Sequence, residues 1–270
     1  MKVRRKRSGQ RRLKGPDDTM TLTEHLAELR RRIVVSFLAV AAAAVVMFVL
    51  YDPWLQRFLG DPYFDLCAEN PDWKCSDGFQ VTDLLGAFTT RLRIAGYFGL
   101  AAALPVVLWQ IWRFVVPGLH AKERRYAAPF VLSSVVLFLF GASIAYLTMP
   151  FAVEFLVGYA GAKSRVDLTA DRYINLISLM MIGFGVGFLF PVLLVFLQLA
   201  GALTPGRLLR WWRQAIVLCV VIAAVITPSG DPFSLLALAI PMTVFYFGSV
   251  LIGWLLTRKR SKAGAGTAAA

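Results

Sequence analysis

The sequence has few of the residues that perform covalent chemistry. It has two histidines and three cysteines in 270 residues. His25 and His120 stand far from each other and from every cysteine in the chain, so no metal-ligand spacing is present. There is no HExxH, no GxSxG and no phosphate-cradling glycine loop. Gly183, Gly185 and Gly187 follow no strand and lack the dinucleotide spacing. An enzyme is therefore not expected, nor a metal or a cofactor. Acidic residues are scarce too, 16 against 29 Lys and Arg, for a net charge of +13. In a soluble chain that balance would suggest nucleic acid. Here the basic residues sit in tails and connections, and the middles of the apolar blocks are almost free of charge. Ion-coupled transporters usually keep ionisable groups there. No repeat relates the first half to the second, which argues against an inverted-repeat transporter. No cleavable signal peptide is expected either: a long polar stretch precedes the first apolar block, and Asp52-Pro53-Trp54 is no small-residue cleavage site.

Apolar residues are abundant, at 58% of the chain with a mean hydropathy of +0.63. They fall into blocks at 33–51, 94–112, 127–149, 174–199, 214–226 and 233–256. A spanning helix needs about 20 such residues, so the sequence predicts an all-α integral membrane protein with six transmembrane helices. The fifth block is short, roughly 20 Å against a hydrocarbon core of about 30 Å. It either spans a thinned or shielded region around Thr227–Pro232 or forms a re-entrant pair. Orientation follows from the basic residues. With the N-terminus inside, 22 of the 29 Lys and Arg fall in inner segments and 7 in outer ones, while acids divide 5 inside to 11 outside. Both termini are thus expected in the cytoplasm. Residues 1–19 form a basic, disordered tail suited to anionic lipid. The membrane domain covers 20–257 and a cytoplasmic tail 258–270, disordered from 261.

Thr21-Leu22-Thr23-Glu24 fits a capping box. Leu22, Leu26, Leu29 and Ile33 make one apolar stripe, which predicts an amphipathic helix along the inner surface that then turns into the membrane. Glu28 is placed either to pair with Arg31 or Arg32 or to receive a cationic ligand. Glu123, the one acid in the basic loop Pro117–Arg125, is open to the same two readings. A carboxylate suits a guanidinium because two acceptor oxygens match its donor fork. Cys67 and Cys75 lie in an outer loop, where a disulfide is expected. Cys219 reads as a buried apolar residue. Gly183 and Gly187 permit close helix approach, and Pro105 and Pro191 are positioned to kink their helices. Arg91, Arg93 and Glu154 near the outer ends are expected to snorkel or pair.

His25-Leu26-Ala27-Glu28-Leu29-Arg30 resembles the opening motif of the TatC family, the multi-spanning receptor of the twin-arginine protein translocase. Pro117–Arg125 resembles its first inner loop. Thr227-Pro228, Asp231, Phe233-Ser234 and Ala239-Ile240-Pro241-Met242 resemble its last outer turn and sixth helix. The resemblance covers about residues 20–257. It implies a glove-shaped bundle with short fifth and sixth helices. The implied role is recognition of twin-arginine signal peptides on folded precursors, with TatA- and TatB-type partners, in a larger complex holding several copies. Transport would draw on the proton-motive force across the cell membrane. By resemblance, Glu28 and Glu123 face the two signal arginines. Arg30, Phe114, Pro117, Leu119, Arg124 and Arg125 shape that inner surface, and Pro62 and Asp231 are functional outer positions. One position departs from the pattern: Leu189 stands two residues before Pro191, where many members carry glutamate. Leu235, near the last outer turn, likewise replaces a polar residue seen in some members. A small-solute permease, with Glu28 and Glu123 incidental, is the competing reading.

Overall fold

The computed structural model describes residues 22–69, 74–75, 84–115, 127–159, 167–168, 170–199 and 201–267. Nearly all of them are helical. Five helices are long and apolar enough to cross a membrane, over Thr23–Val49, Leu85–Phe114, Ala128–Tyr159, Ala170–Leu199 and Pro232–Leu255. Trp212–Ile226 is apolar but shorter. By length and composition, then, the described residues hold five clear spans and one marginal one.

Helix α1 (Leu22–Val49) is unbroken. The amphipathic stretch expected to lie on the surface continues straight into the apolar one. Nothing in Ile33-Val34-Val35-Ser36 breaks a helix, since neither Gly nor Pro occurs there. At 28 residues it is about 42 Å long, the thickness of a bilayer with its headgroups. It packs mainly along α3 (Leu84–Val115). The approach is close because position 99 is glycine: a Cβ there would lie 2.5 Å from Ala44 Cα. The other flank of α1 exposes Phe37, Leu38, Val45 and Val46. In a bilayer that flank meets lipid.

The connection after α1 is structured rather than a plain loop. A π-helical turn, Tyr51–Leu55, leads into α2 (Gln56–Glu69). Leu55, Leu59, Tyr63 and Leu66 are buried, at the spacing of one helical face. Further on, Lys74–Cys75 (β1) pairs in parallel with Asp167–Leu168 (β2), tying the connection that follows α2 to the one that precedes α5.

The core lies between α4 (Ala127–Tyr159), α5 (Ala170–Gly187) and the elements around them. Glycine again sets the distance. A Cβ on Gly185 would meet the Phe138 ring at 2.5 Å, and one on Gly141 the Phe184 carbonyl at 2.7 Å. Gly183 and Gly187, expected to permit close approach, do so. Their Cβ positions fall 2.9 Å from Ile226 Cγ2 and 3.3 Å from Leu238 Cδ1.

Pro105 sits inside an unbroken α3. Near Pro191 the helix is interrupted at Phe188, and α6 (Leu189–Leu199) follows. Next come α7 (Pro205–Arg210), α8 (Trp212–Ile226) and α9 (Pro232–Thr267). α9 runs through much of the tail expected to be disordered from residue 261. The basic tail 1–19 lies outside the described residues.

Candidate functional site

Where the start of α1 meets the end of α3, Glu28 and Arg32 stand one turn apart on a single face. Arg32 donates twice to Glu28 Oε1, from Nε at 3.1 Å and from Nη2. Its third nitrogen, Nη1, donates to Gln110 Oε1 on α3 at 3.1 Å. The side chains are 21% and 16% exposed, so the pair is largely withdrawn from solvent. The second carboxylate oxygen, Oε2, is sealed from water and has no hydrogen-bond partner among the described residues. A cavity of about 170 Å³ adjoins the pair, lined by Glu28, Arg31, Arg32, Val35, Gln110 and Arg113.

Of the two readings open for Glu28, its local pairing is therefore present in the resting fold. Gln110 was not singled out by the sequence reading. An amide in the last turn of an otherwise apolar span was the available signal.

Beside this cluster, His25 stacks on Phe114 with centroids 4.4 Å apart, closing α1 onto the end of α3. Phe114 also lines an apolar groove of about 410 Å³ with Leu29, Ile33, Phe37, Val40, Leu100 and Ile111. Arg30 is exposed. Pro117, Leu119, Glu123, Arg124 and Arg125 lie outside the described residues.

The two positions expected on the outer side have structural accounts. Asp231 is buried and caps α9: its Oδ1 accepts from Ser234 N–H at 2.7 Å, and Ser229 Oγ donates to Oδ2. Pro232 follows at the first helical position, where a missing N–H costs nothing. Gly230, at φ +62°, makes the turn that delivers the cap.

Pro62 lies inside α2 and has no N–H to give the Phe58 carbonyl four residues back. That carbonyl is taken by Tyr146 Oη of α4 at 3.1 Å, and the Phe58 and Tyr146 rings stack at 4.8 Å. Pro62 thus exposes an acceptor that docks α2 on the bundle.

Arg91 pairs with Asp52 at 2.9 Å and donates to the Phe48 carbonyl at 3.0 Å, where the end of α1 leaves acceptors free. Its guanidinium also lies 4.5 Å from the centre of the Phe48 ring. Burial raises the Tyr51 phenol above its ordinary pKa; the carboxylates of Asp171 and Asp52 add to the shift, and Arg91 opposes it. Cys67 is disulfide-bonded, and Cys219 is free and buried. Cys75 lies in β1.

Leu189 is half-buried against Leu104, Leu108 and Phe138. Among the described residues no group of three or more His, Cys, Asp or Glu is placed to hold a metal.

The description "Sec-independent protein translocase protein (TatC)" matches residues 24–241. The chain belongs to the TatC family. It is 40% identical over 255 residues to the Frankia casuarinae TatC, covering 92% of this chain and 69% of that one. It is 33% identical to the Aquifex aeolicus TatC, over 90% and 98% of the two chains. The chloroplastic TATC of Arabidopsis thaliana is 36% identical, over 86% of this chain and 66% of that one. A crystal structure described as a twin arginine translocase receptor, TatC in DDM, superposes with a TM-score of 0.70 at 31% identity. That match covers 85% of this chain and 99% of the other. This TatC-family chain is thus a multi-pass membrane component of the Sec-independent, twin-arginine translocase rather than an enzyme, and it acts within a translocase complex.

Proposed function

We propose that this protein is the receptor subunit of its translocase. It binds twin-arginine signal peptides of folded precursors at the cytoplasmic face of the cell membrane. TatA- and TatB-type single-span partners then join it to move the cargo, drawing on the proton-motive force. Six spans with both termini inside, in a glove-shaped bundle, complete the reading. Within family membership, the observation that supports it best is Glu28: a carboxylate at the inner end of the bundle, withdrawn from solvent, with one oxygen still lacking a donor.

The physical need for such a carboxylate is plain. The inner segments carry 22 basic and 5 acidic residues, a field that repels an arginine pair. Partly desolvated, charge-assisted contacts of about 1.5–3 kcal/mol each overcome it. Two of them, at Glu28 and Glu123, amount to roughly a hundredfold or more in affinity. Arg30, Phe114, Pro117, Leu119, Arg124 and Arg125 shape the surface around them. A lysine pair lacks the donor fork and binds less well.

Crosslinking of a twin-arginine precursor tests the assignment. Glu28→Ala and Glu123→Ala each weaken it, and the double variant abolishes it while membrane insertion stays normal. Undiminished crosslinking in the double variant would sink the assignment.

A further inference from the structure

We propose that Arg32 is an internal placeholder for a signal-peptide arginine, and that binding begins with its displacement from Glu28. The inference rests on the signal-binding reading of Glu28 above. In the resting fold neither oxygen of that carboxylate is open to a ligand. Oε1 takes two donors from Arg32, and Oε2 is closed to water with no partner among the described residues. An incoming guanidinium therefore reaches Glu28 only when Arg32 moves aside.

The exchange is chemically matched, one guanidinium for another. It is also favourable in one respect. Arg32 places both of its donors on a single oxygen, whereas an untethered guanidinium can face both oxygens with its fork and satisfy Oε2 as well. A carboxylate oxygen buried without a partner is costly, and the exchange removes that cost. Gln110 gives the displaced side chain somewhere to stay. Its Oε1 already holds Arg32 Nη1 from the opposite helix, at 3.1 Å, so Arg32 can swing on that contact into the adjoining cavity of about 170 Å³.

The functional consequence is a threshold. Displacing Arg32 costs every ligand the same, so it does not change the ratio of arginine to lysine affinities. It lowers both, and a lysine pair, with single-point donors, falls below useful binding first. The free receptor is thereby closed to the many cationic segments that reach a membrane surface.

The test uses the full-length protein in lipid nanodiscs and measures the Kd of a twin-arginine signal peptide and of its Lys-Lys form. Arg32→Gln tightens both, by about tenfold or more, and brings the Lys-Lys peptide into measurable range. Arg31→Gln, which removes the same charge one residue away, gives a clearly smaller gain. Arg32→Lys retains the charge but loses the fork, and falls between Arg32→Gln and the parent. It carries the test should Arg32→Gln melt early. The gain disappears in a Glu28→Gln background.

Unchanged or weaker binding in Arg32→Gln overturns the placeholder. So does an equal gain in Arg31→Gln, which would mean that only the general field had changed. Failure of the underlying reading looks different: Glu28→Gln, with Arg32 intact, would leave twin-arginine binding untouched.

Discussion

Leu189 shows what one side chain changes. It packs against Leu104, Leu108 and Phe138 from two neighbouring helices, at the position where the family resemblance led to the expectation of a glutamate. An apolar side chain fits that cluster without desolvating a charge. Leu189→Ala is expected to cost about 1–2 kcal/mol, below the full range for a buried leucine because the residue is only half-buried, and to leave export largely intact. Leu189→Glu is expected to cost more, about 2.5 kcal/mol or above, the figure for a charge at the centre of a membrane helix. Thermal melting in detergent together with an export assay checks both. A Leu189→Ala protein present at normal levels but inactive would assign the position a specific role. Asp231 carries the complementary lesson: a residue singled out as functional by resemblance also has a defined structural task, capping the helix that follows it.

At the scale of elements, contacts between helices depend on groups that a helix normally keeps to itself. Pro62 frees the Phe58 carbonyl, and Tyr146 on α4 donates to it. Tyr146→Phe should destabilise the bundle by about 0.5–1.5 kcal/mol, the net value of one hydrogen bond. In a Pro62→Ala background the helix regains its own N–H donor at that carbonyl, and the same change should cost less. A double-mutant cycle measured by thermal melting gives the coupling, expected near 0.5–1 kcal/mol. A coupling of zero would mean that Pro62 and Tyr146 act independently. Arg91 does similar work at the end of α1. It covers the freed Phe48 carbonyl and pairs with Asp52, which accounts for an arginine near the end of an apolar helix.

For the whole molecule, the asymmetry of charge predicts the orientation. If the N-terminus is inside and six helices span, 22 of the 29 basic residues fall in inner segments, and those segments are expected to face the cytoplasm. Single cysteines placed at 207–213 should resist an impermeant thiol reagent added outside, in a background lacking Cys67 and Cys75. Cys67 itself should react from outside once reduced. Labelling of 207–213 from outside would reverse the orientation. Exposed apolar side chains cover the flank of α1 away from α3, as a helix that borders hydrocarbon requires whichever way the chain is oriented.

Much of this was legible along the chain. Long apolar blocks need no partner to declare themselves, because the bilayer requires each spanning helix to satisfy its own backbone. The family motifs and the small residues at 183 and 187 were equally visible, since each is a local pattern. α2 was legible in principle: Leu59, Tyr63 and Leu66 recur at helical spacing, but three residues among polar neighbours are a faint signal. What only the tertiary structure decided lies between elements distant in sequence. Gln110 reaches Arg32 from 78 positions away, and Tyr146 meets Phe58 across 88. The choice of Arg32 rather than Arg31 as the partner of Glu28 belongs here as well. Both lie within helical reach of Glu28, at i+3 and i+4. Arg31 is exposed, while Arg32 faces α3, where Gln110 completes its hydrogen bonding. A sequence specifies which groups a helix presents on each face; which of them find a partner depends on how the neighbouring helix is rotated and how closely it approaches, and here a glycine opposite Ala44 sets that approach.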